Sequence, residues 1–159
     1  MFKIKLLILL LSSILVNCTT SLKVDNPKLD LNYIAGGVDG LIMKNIFTNY
    51  LQNYNLYDKN SNFRVDASIS HNNNFFITNI DNTSDRNLVS SKLNITIMNK
   101  VNSCEIYKSN NEISQFYIVV SSNQFTSNDA ALEKIKKENT ENLIKLFFED
   151  YLFNIYNCG

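Results

Sequence analysis

Several residue types are scarce in this chain of 159 residues, and each scarcity narrows its chemistry. One histidine and three cysteines offer no set of zinc ligands, and neither a G-x-S-x-G nor a phosphate-binding glycine motif occurs. Fifteen basic residues balance fifteen acidic ones, so no basic excess indicates nucleic acid. We therefore expect a protein that is not an enzyme and that binds neither a metal nor another cofactor.

The remaining composition is that of one globular domain. Apolar residues make up 45% of the chain, charged residues only 19%, and the length suits a single compact core. Asparagine is abundant, with 26 copies, which we attribute to genomic base composition at polar positions. Neither feature by itself indicates a ligand.

The N-terminus has the pattern of a bacterial export signal. Lys3 and Lys5 precede the eleven uncharged residues 6–16, which is too short for a bilayer span but suits a signal peptide. The run ends in LVNC, which resembles a lipobox except at Asn17, a position usually held by Gly, Ala or Ser. We interpret residues 1–17 as a lipoprotein signal peptide and Cys18 as the lipid attachment site. An uncleaved anchor helix with a buried Cys18 is the alternative.

Two other cysteines remain in the mature chain. Cys104 and Cys158 could form a disulfide in an oxidising periplasm. Cys158 is the penultimate residue, so it could equally remain a free thiol, and the sequence leaves both alternatives open.

Hydrophobic periodicity predicts a helix, several strands and a second helix. Apolar residues at helical spacing follow Gly40 over residues 41–54, with Asp39 as the helix cap. The period then changes to two over residues 63–70, 88–98 and 113–121, with turns at residues 71–74 and 108–112. His71 lies in the first of these turns, where a solvated role is favoured over a ligand or base. We place the linker at residues 18–35 and a single domain at 36–157.

A long C-terminal helix begins near Ser127 or Asn128. Its apolar stripe contains Leu132, Ile135, Leu143, Leu146 and Phe147. The end of this helix, LFFEDYLFNIY, is apolar on more than one face, either because it is buried in its own sheet or because it contacts a partner. Since both helices have an apolar stripe, we predict an α+β two-layer sandwich, with two helices on one face of a mainly antiparallel sheet of four to five strands.

This order of features resembles the LPS-assembly lipoprotein family (LptE). The segment SSNQFTSNDAALEKIKKENTENLIKLFF, residues 121–148, is similar to the family's last strand, Ser-rich turn and helix start. The segments LYDKNSNFRVDASIS and DRNLVSSKLNITIM resemble two of its strands. CTTSLKVD lacks the Gly and Pro-aromatic residues that often follow the family's cysteine.

The resemblance implies a non-catalytic protein of the outer membrane. Members of the family plug a β-barrel translocon (LptD) and help lipopolysaccharide reach the cell surface. An anionic glycolipid needs cations beside an apolar surface, and Arg86, Lys92 and Lys100 are the candidates for this contact. Each could instead be an ordinary solubilising charge.

A second hypothesis comes from a different class of protein. A lipid-anchored regulator could reach from the outer membrane to a periplasmic enzyme such as a peptidoglycan synthase. Such a regulator needs a long tether, whereas the polar segment that follows Cys18 is short. The length of this segment therefore favours a role close to the barrel.

Overall fold

The structure, a computed structural model, describes residues 26–77, 85–118 and 125–153, which form four strands and two helices. The strands are β1 (Asp30–Ala35), β2 (Phe63–Ile77), β3 (Asp85–Asn99) and β4 (Glu105–Ile118). The helices are α1 (Gly37–Asn53), which connects β1 to β2, and α2 (Phe125–Phe153), which follows β4.

The strands form one sheet in the order β1-β2-β3-β4. The β2–β3 and β3–β4 pairs are antiparallel, and β1 is parallel to β2, with an irregularity between Leu31 and Tyr33. A parallel pair needs a crossover connection, which α1 supplies. The sheet is therefore mixed and mainly antiparallel.

Both helices pack on one face of this sheet, which confirms the predicted α+β class. The buried residues of α1 include Met43, Phe47 and Leu51, which recur every four residues. They meet Leu143 and the aromatic residues of α2, and the Phe47 and Phe147 ring centroids are 5.2 Å apart. Fully burying one such side chain stabilises the fold by about 1.5–3 kcal/mol.

The core divides the sheet into two halves. In the half that we call proximal, core-facing apolar residues of all four strands are buried under α1 and α2. These residues are Leu31, Val65, Ala67, Ile69, Leu93, Ile95, Ile97 and Tyr107. The distal half comprises residues 71–77, 85–91 and 113–118, and it lies beyond the last β1 pair, Ala35 with Ser68. There the buried core-facing positions are Val89 and Ser91.

The predicted turns at residues 71–74 and 108–112 are wrong. Asn72, Asn73 and Asn74 lie within β2 and pair with β3, and Lys108 and its neighbours lie within β4. Strand pairing needs only backbone groups, so polar residues such as these continue a ladder wherever a neighbouring strand supplies backbone partners. The sheet therefore has long, continuous strands where the sequence suggested shorter ones.

The N-terminal boundary of the domain also differs from the prediction. Asp30–Ala35, which we assigned to the linker, is strand β1, and Leu29 is fully buried. The Tyr151 hydroxyl donates a hydrogen bond to the Pro27 carbonyl, and the Asn26 amide donates one to the Leu152 carbonyl. The domain therefore includes residues 26–35.

Helix α1 begins earlier than expected, and Asp39 is not its cap. Gly36 is the N-cap residue, with a φ of 131°, and no side chain caps the helix. A Cβ atom on Gly36 would lie 2.7 Å from the Ile69 carbonyl oxygen. Glycine therefore permits both the backbone angle and the close approach of this turn to β2.

The stripe predicted for α2 is mostly correct. Ile135, Leu143 and Phe147 are buried, whereas Leu146 is 43% exposed. Phe148 and Tyr151 are buried as well, so the apolar end of this helix lies mainly in the protein's own core.

Candidate interaction surface

The sheet face opposite the helices is an extended surface that the described elements leave uncovered. Side chains alternate along a strand, so residues that flank Val65, Ala67 and Ile69 point away from the helices. No helix or strand within residues 26–77, 85–118 and 125–153 covers this open face. Neutral polar residues are its largest group of members, and in β2, β3 and β4 they are Ser68, Ser70, Asn72, Asn74, Ser90, Asn94, Thr96, Asn110 and Ser114.

Side-chain hydrogen bonds connect neighbouring strands across the open face. The Ser90 and Ser114 hydroxyls are 2.8 Å apart, and the Asn94 amide donates to the Ser68 hydroxyl at 3.2 Å. The Asn32 amide donates to Asp66, whose carboxylate is also 3.2 Å from Arg64. Besides these neutral groups, the open face carries charged residues of both signs, which are Arg64, Asp66, Arg86, Lys92, Lys108 and Glu112.

Two depressions mark the open face. One, of about 420 Å³, is lined by Ser70, His71, Asn72, Asn74, Ser90, Lys92 and Glu112. The other, of about 250 Å³, is lined by Tyr33, Ala35, Asp66, Ala67, Ser68, Asn94 and Thr96. Both are open to solvent; the first has a mixed, slightly more polar surface and the second a mostly apolar one. Their openness suits contact with a partner surface more than a buried small-molecule site.

The three candidate cations do not form one site. Arg86 and Lys92 both lie on the open face of β3, six residues apart, which corresponds to roughly 20 Å. Lys100 follows β3 at the opposite end of the sheet, where its ammonium is 2.6 Å from the Asp30 carboxylate. The three side chains therefore have separate surroundings.

Among these cations, Arg86 has apolar neighbours. It lies opposite Ile118, which is 66% exposed, and two residues further along Leu88 lies opposite the exposed Phe116. Lys92 lies between Ser70 and Glu112, in polar surroundings. An acylated anion requires a cation beside an apolar surface. Among the three candidates, this combination occurs at Arg86.

Histidine 71 lies in a polar network between the sheet and α2. Its Nδ1 atom is 2.7 Å from the Ser91 hydroxyl, which accepts a hydrogen bond from the Asn139 amide at 2.9 Å. The tautomer of His71 sets the direction of its hydrogen bond with Ser91, because a serine hydroxyl can donate one hydrogen bond and accept two. Burial lowers the pKa of His71, and the nearby Lys136 ammonium lowers it further. The Asp39 and Glu133 carboxylates raise this pKa but do not cancel the effect of burial.

The adjacent cavity is too small for a substrate. It measures about 10 Å³ and is lined by Asp39, Ile42, His71, Glu133, Lys136, Lys137 and Thr140. This volume is about that of one water molecule. The network therefore serves to connect β2, β3 and α2. His71 is a half-buried strand residue, so its assignment to a solvated turn is wrong.

Sequence reasoning missed Ser91 and Asn139, which are both fully buried. The signal for Asn139 was its spacing, because it lies four residues after Ile135 and four before Leu143 on the buried stripe. Its Oδ1 atom is buried and has no hydrogen-bond partner among the described residues. A polar residue at such a position indicates a hydrogen-bonded contact across the layers.

The lipid attachment site Cys18 lies outside the described residues, as does Cys158. Cys104 is disulfide-bonded, and its partner also lies outside the described residues. Within those residues, no helix is long and apolar enough to cross a membrane. No group of three or more His, Cys, Asp or Glu side chains in the same part of the chain could hold a metal ion.

This chain resembles known proteins in its structure and not in its sequence. No protein-family model and no curated protein sequence matches this chain. A minor lipoprotein from Acinetobacter baumannii matches with a TM-score of 0.61 and 13% identity, over 84% of this chain and 96% of that one. Rare lipoprotein B from Shewanella oneidensis matches with a TM-score of 0.61 and 11% identity, over 77% of this chain and 92% of that one.

A protein from Caulobacter crescentus matches with a TM-score of 0.56 and 16% identity, over 78% of this chain and 87% of that one. These identities are low, and the matches cover nearly the whole of each solved chain. The protein thus has a fold that occurs in solved bacterial lipoproteins.

Proposed function

We propose that this protein is an outer-membrane lipoprotein of the lipopolysaccharide assembly machinery, which binds and plugs a β-barrel translocon of the LptD type without catalysing a reaction. The observation that carries the proposal is the open face, a long sheet surface rich in neutral hydrogen-bonding side chains on a fold that solved bacterial lipoproteins share. The LptE-like segments at residues 121–148 and along β2 and β3 agree with this role.

The short distance in sequence between Cys18 and the domain supports an anchor close to the membrane. Eight peptide steps separate Cys18 from Asn26, which is hydrogen-bonded to α2. Eight steps of extended chain span at most about 29 Å. A domain tethered at Cys18 therefore stays near the bilayer, where an outer-membrane barrel is within its reach. A regulator that must cross the periplasm needs a longer tether.

The open face has the chemistry that a hydrated barrel lumen requires. Serine, threonine and asparagine side chains form hydrogen bonds with protein groups or with bridging water, and they bring no charge that would need a buried partner. Most charged residues on this face lie near a residue of opposite charge: Arg64 is 3.2 Å from Asp66, and Lys92 lies opposite Glu112. Arg86 lies opposite Ile118 and is the cation that an anionic ligand would pair with. A polar, hydrated wall could therefore enclose the face with few of its charges left unmatched.

The distal end of β3 is the best candidate site for direct contact with lipopolysaccharide. Arg86 offers a fork of N–H donors for a phosphate or carboxylate, and Ile118, Leu88 and Phe116 offer apolar surface beside it. Lys100 is already paired with Asp30, and Lys92 lies beside Glu112. We assign the contact to Arg86 first.

Purification of the native complex tests the proposal. The full-length protein is crosslinked in its own membrane, solubilised in a gentle detergent and purified, and the attached chain is identified by mass spectrometry. We expect an outer-membrane β-barrel, and depletion of the protein should lower surface lipopolysaccharide. Recovery of a peptidoglycan synthase in place of the barrel would support the regulator hypothesis and overturn ours.

A further inference from the structure

The proximal end of the molecule exposes three large apolar side chains. Val101, in the turn between β3 and β4, is 76% exposed, and Phe153, the last residue of α2, is 85% exposed. Tyr54, just after α1, is partly exposed, and its ring stacks on Phe148 with a centroid distance of 5.2 Å. These residues come from three separate elements that all end at this side of the sheet.

The chain enters the domain at the same end. Asn26 donates a hydrogen bond to the Leu152 carbonyl, next to Phe153, and Pro27 accepts one from Tyr151. Asp30, at the start of β1, pairs with Lys100, which precedes Val101. The short segment that joins Cys18 to the domain therefore arrives beside the exposed apolar residues.

The charged residues around this end are mixed in sign. Lys28 and Lys59 are exposed, and the Ser61 hydroxyl donates to the Lys28 carbonyl, which brings the two lysine-bearing segments together. Glu149 and Asp150 are exposed near the end of α2. Aromatic residues with nearby lysines are typical of groups that lie at a membrane–water interface. The carboxylates mean that attraction to anionic lipid adds little here, so the apolar side chains must supply most of the affinity.

We infer that in the free lipoprotein, before a barrel encloses it, this proximal end rests on the lipid bilayer, with Tyr54, Val101 and Phe153 in its interfacial region. The inference depends on lipid attachment at Cys18, which is part of the proposed function, and it adds the orientation of the domain. Strand β2 extends for 15 residues, so its distal end would stand roughly 45 Å farther from the membrane. In this free state the anchor would hold the domain upright, with the distal open face directed away from the bilayer. Entry into a barrel lumen would replace this contact with the bilayer.

A single introduced tryptophan can test this orientation, because the natural chain contains none. The variants Phe153→Trp and Val101→Trp place the reporter at the proximal end, and Phe116→Trp is the matched control on the distal, exposed part of β4. The acylated full-length proteins are reconstituted into vesicles of phosphatidylethanolamine with some phosphatidylglycerol. Some of the lipid acyl chains are brominated near the headgroup.

We expect bromolipid to lower the tryptophan fluorescence of both proximal variants by about half, because their side chains would lie at the headgroup–acyl boundary. The fluorescence of the Phe116→Trp control should remain nearly unchanged. Equal quenching of all three reporters would mean that the domain lies on its side. No quenching of the proximal reporters in acylated protein would mean that it stands clear of the bilayer. Either result overturns the inference and leaves the anchor intact. Absence of acyl mass at Cys18 would overturn the anchor itself, and the inference with it.

Discussion

The proximal and distal halves of the sheet continue the same three strands but have different side chains. Towards the helices, the proximal half of β3 presents Leu93, Ile95 and Ile97, all buried. The distal half of the same strand presents Asn87, Val89 and Ser91 on that side. Helix α1 and strand β1 belong to the proximal half. In the distal half, Phe116 and Ile118 of β4 are exposed on the open face.

The two halves therefore differ in role: the proximal half supplies stability, and we propose the distal half for recognition. The proximal half buries nearly all of the apolar core and therefore supplies most of the free energy of folding. The distal half is held by the backbone ladder and by polar contacts such as Ser90 with Ser114. Its exposed side chains are free to be selected for binding, because few of them are needed for packing.

The largest expected effect is the loss of a core aromatic residue. Phe147 is fully buried, and its ring centroid lies 5.4 Å from that of Tyr107 and 5.4 Å from that of Tyr151. Phe147→Ala should lower the free energy of unfolding by about 3–5 kcal/mol, measured by urea denaturation. Phe116→Ala in the distal half should change it by less than about 1 kcal/mol. Equal losses in the two variants would contradict the division between the halves.

A smaller effect is expected where the N-terminal segment joins the proximal core. Tyr151→Phe removes the hydroxyl that donates to the Pro27 carbonyl at 3.0 Å. The free energy of unfolding should fall by about 1 kcal/mol, the usual value for one hydrogen bond. Tyr33→Phe, at an exposed position on β1, is the control and should have no measurable effect. A neutral result for Tyr151→Phe would mean that residues 26–29 are only loosely attached.

His71 lies at the border of the two halves and should make stability depend on pH. Burial lowers the pKa of the folded protein's His71 below its ordinary value of 6.5, despite the opposing Asp39 and Glu133 carboxylates. Neutral His71 makes its full contribution to the free energy of unfolding above about pH 6.5. This contribution is lost as the pH falls from there toward the lowered pKa. His71→Gln should therefore show a shallower fall in stability between about pH 7 and pH 5. Identical pH profiles for wild type and variant would disprove this assignment.

The smallest stability effects separate two cations at opposite ends of the sheet. Lys100→Ala breaks the ion pair with Asp30, whose partly exposed groups should contribute no more than about 1 kcal/mol. It should leave binding of purified lipopolysaccharide unchanged. Arg86→Ala should leave stability unchanged and weaken that binding about tenfold, as expected for the loss of one charge-assisted contact. The opposite pattern would remove Arg86 from the proposed site.

The periodic parts of the sequence predicted the proximal half well, because burial imposes a pattern there. The alternation of Val65, Ala67 and Ile69 and the four-residue spacing of Leu143 and Phe147 each follow from one buried face. The class of fold and its single layer of two helices could be derived from these signals.

The distal half gave no such signal. Residues 71–74 are His and three Asn, and they continue β2 because β3 provides backbone partners from a distant part of the chain. Local sequence cannot report a partner of this kind. Strand β1 escaped recognition for a related reason, since its six residues are placed by pairing with Arg64 and its neighbours more than by a pattern of their own. The separation of Arg86 from Lys100 likewise depended on knowing how far β3 extends.

The most direct test of the account places a photoreactive amino acid at one of two exposed asparagines in living cells. Asn110 lies on the open face of β4, and Asn142 lies on the solvent side of α2. The chemistry replaced is the same in both variants, so the comparison isolates the face. We predict a crosslink from position 110 to an outer-membrane β-barrel and a much weaker one, or none, from position 142. Equal crosslinking from both positions, or a crosslink from position 110 to a periplasmic synthase, would contradict the assignment of the open face to the barrel.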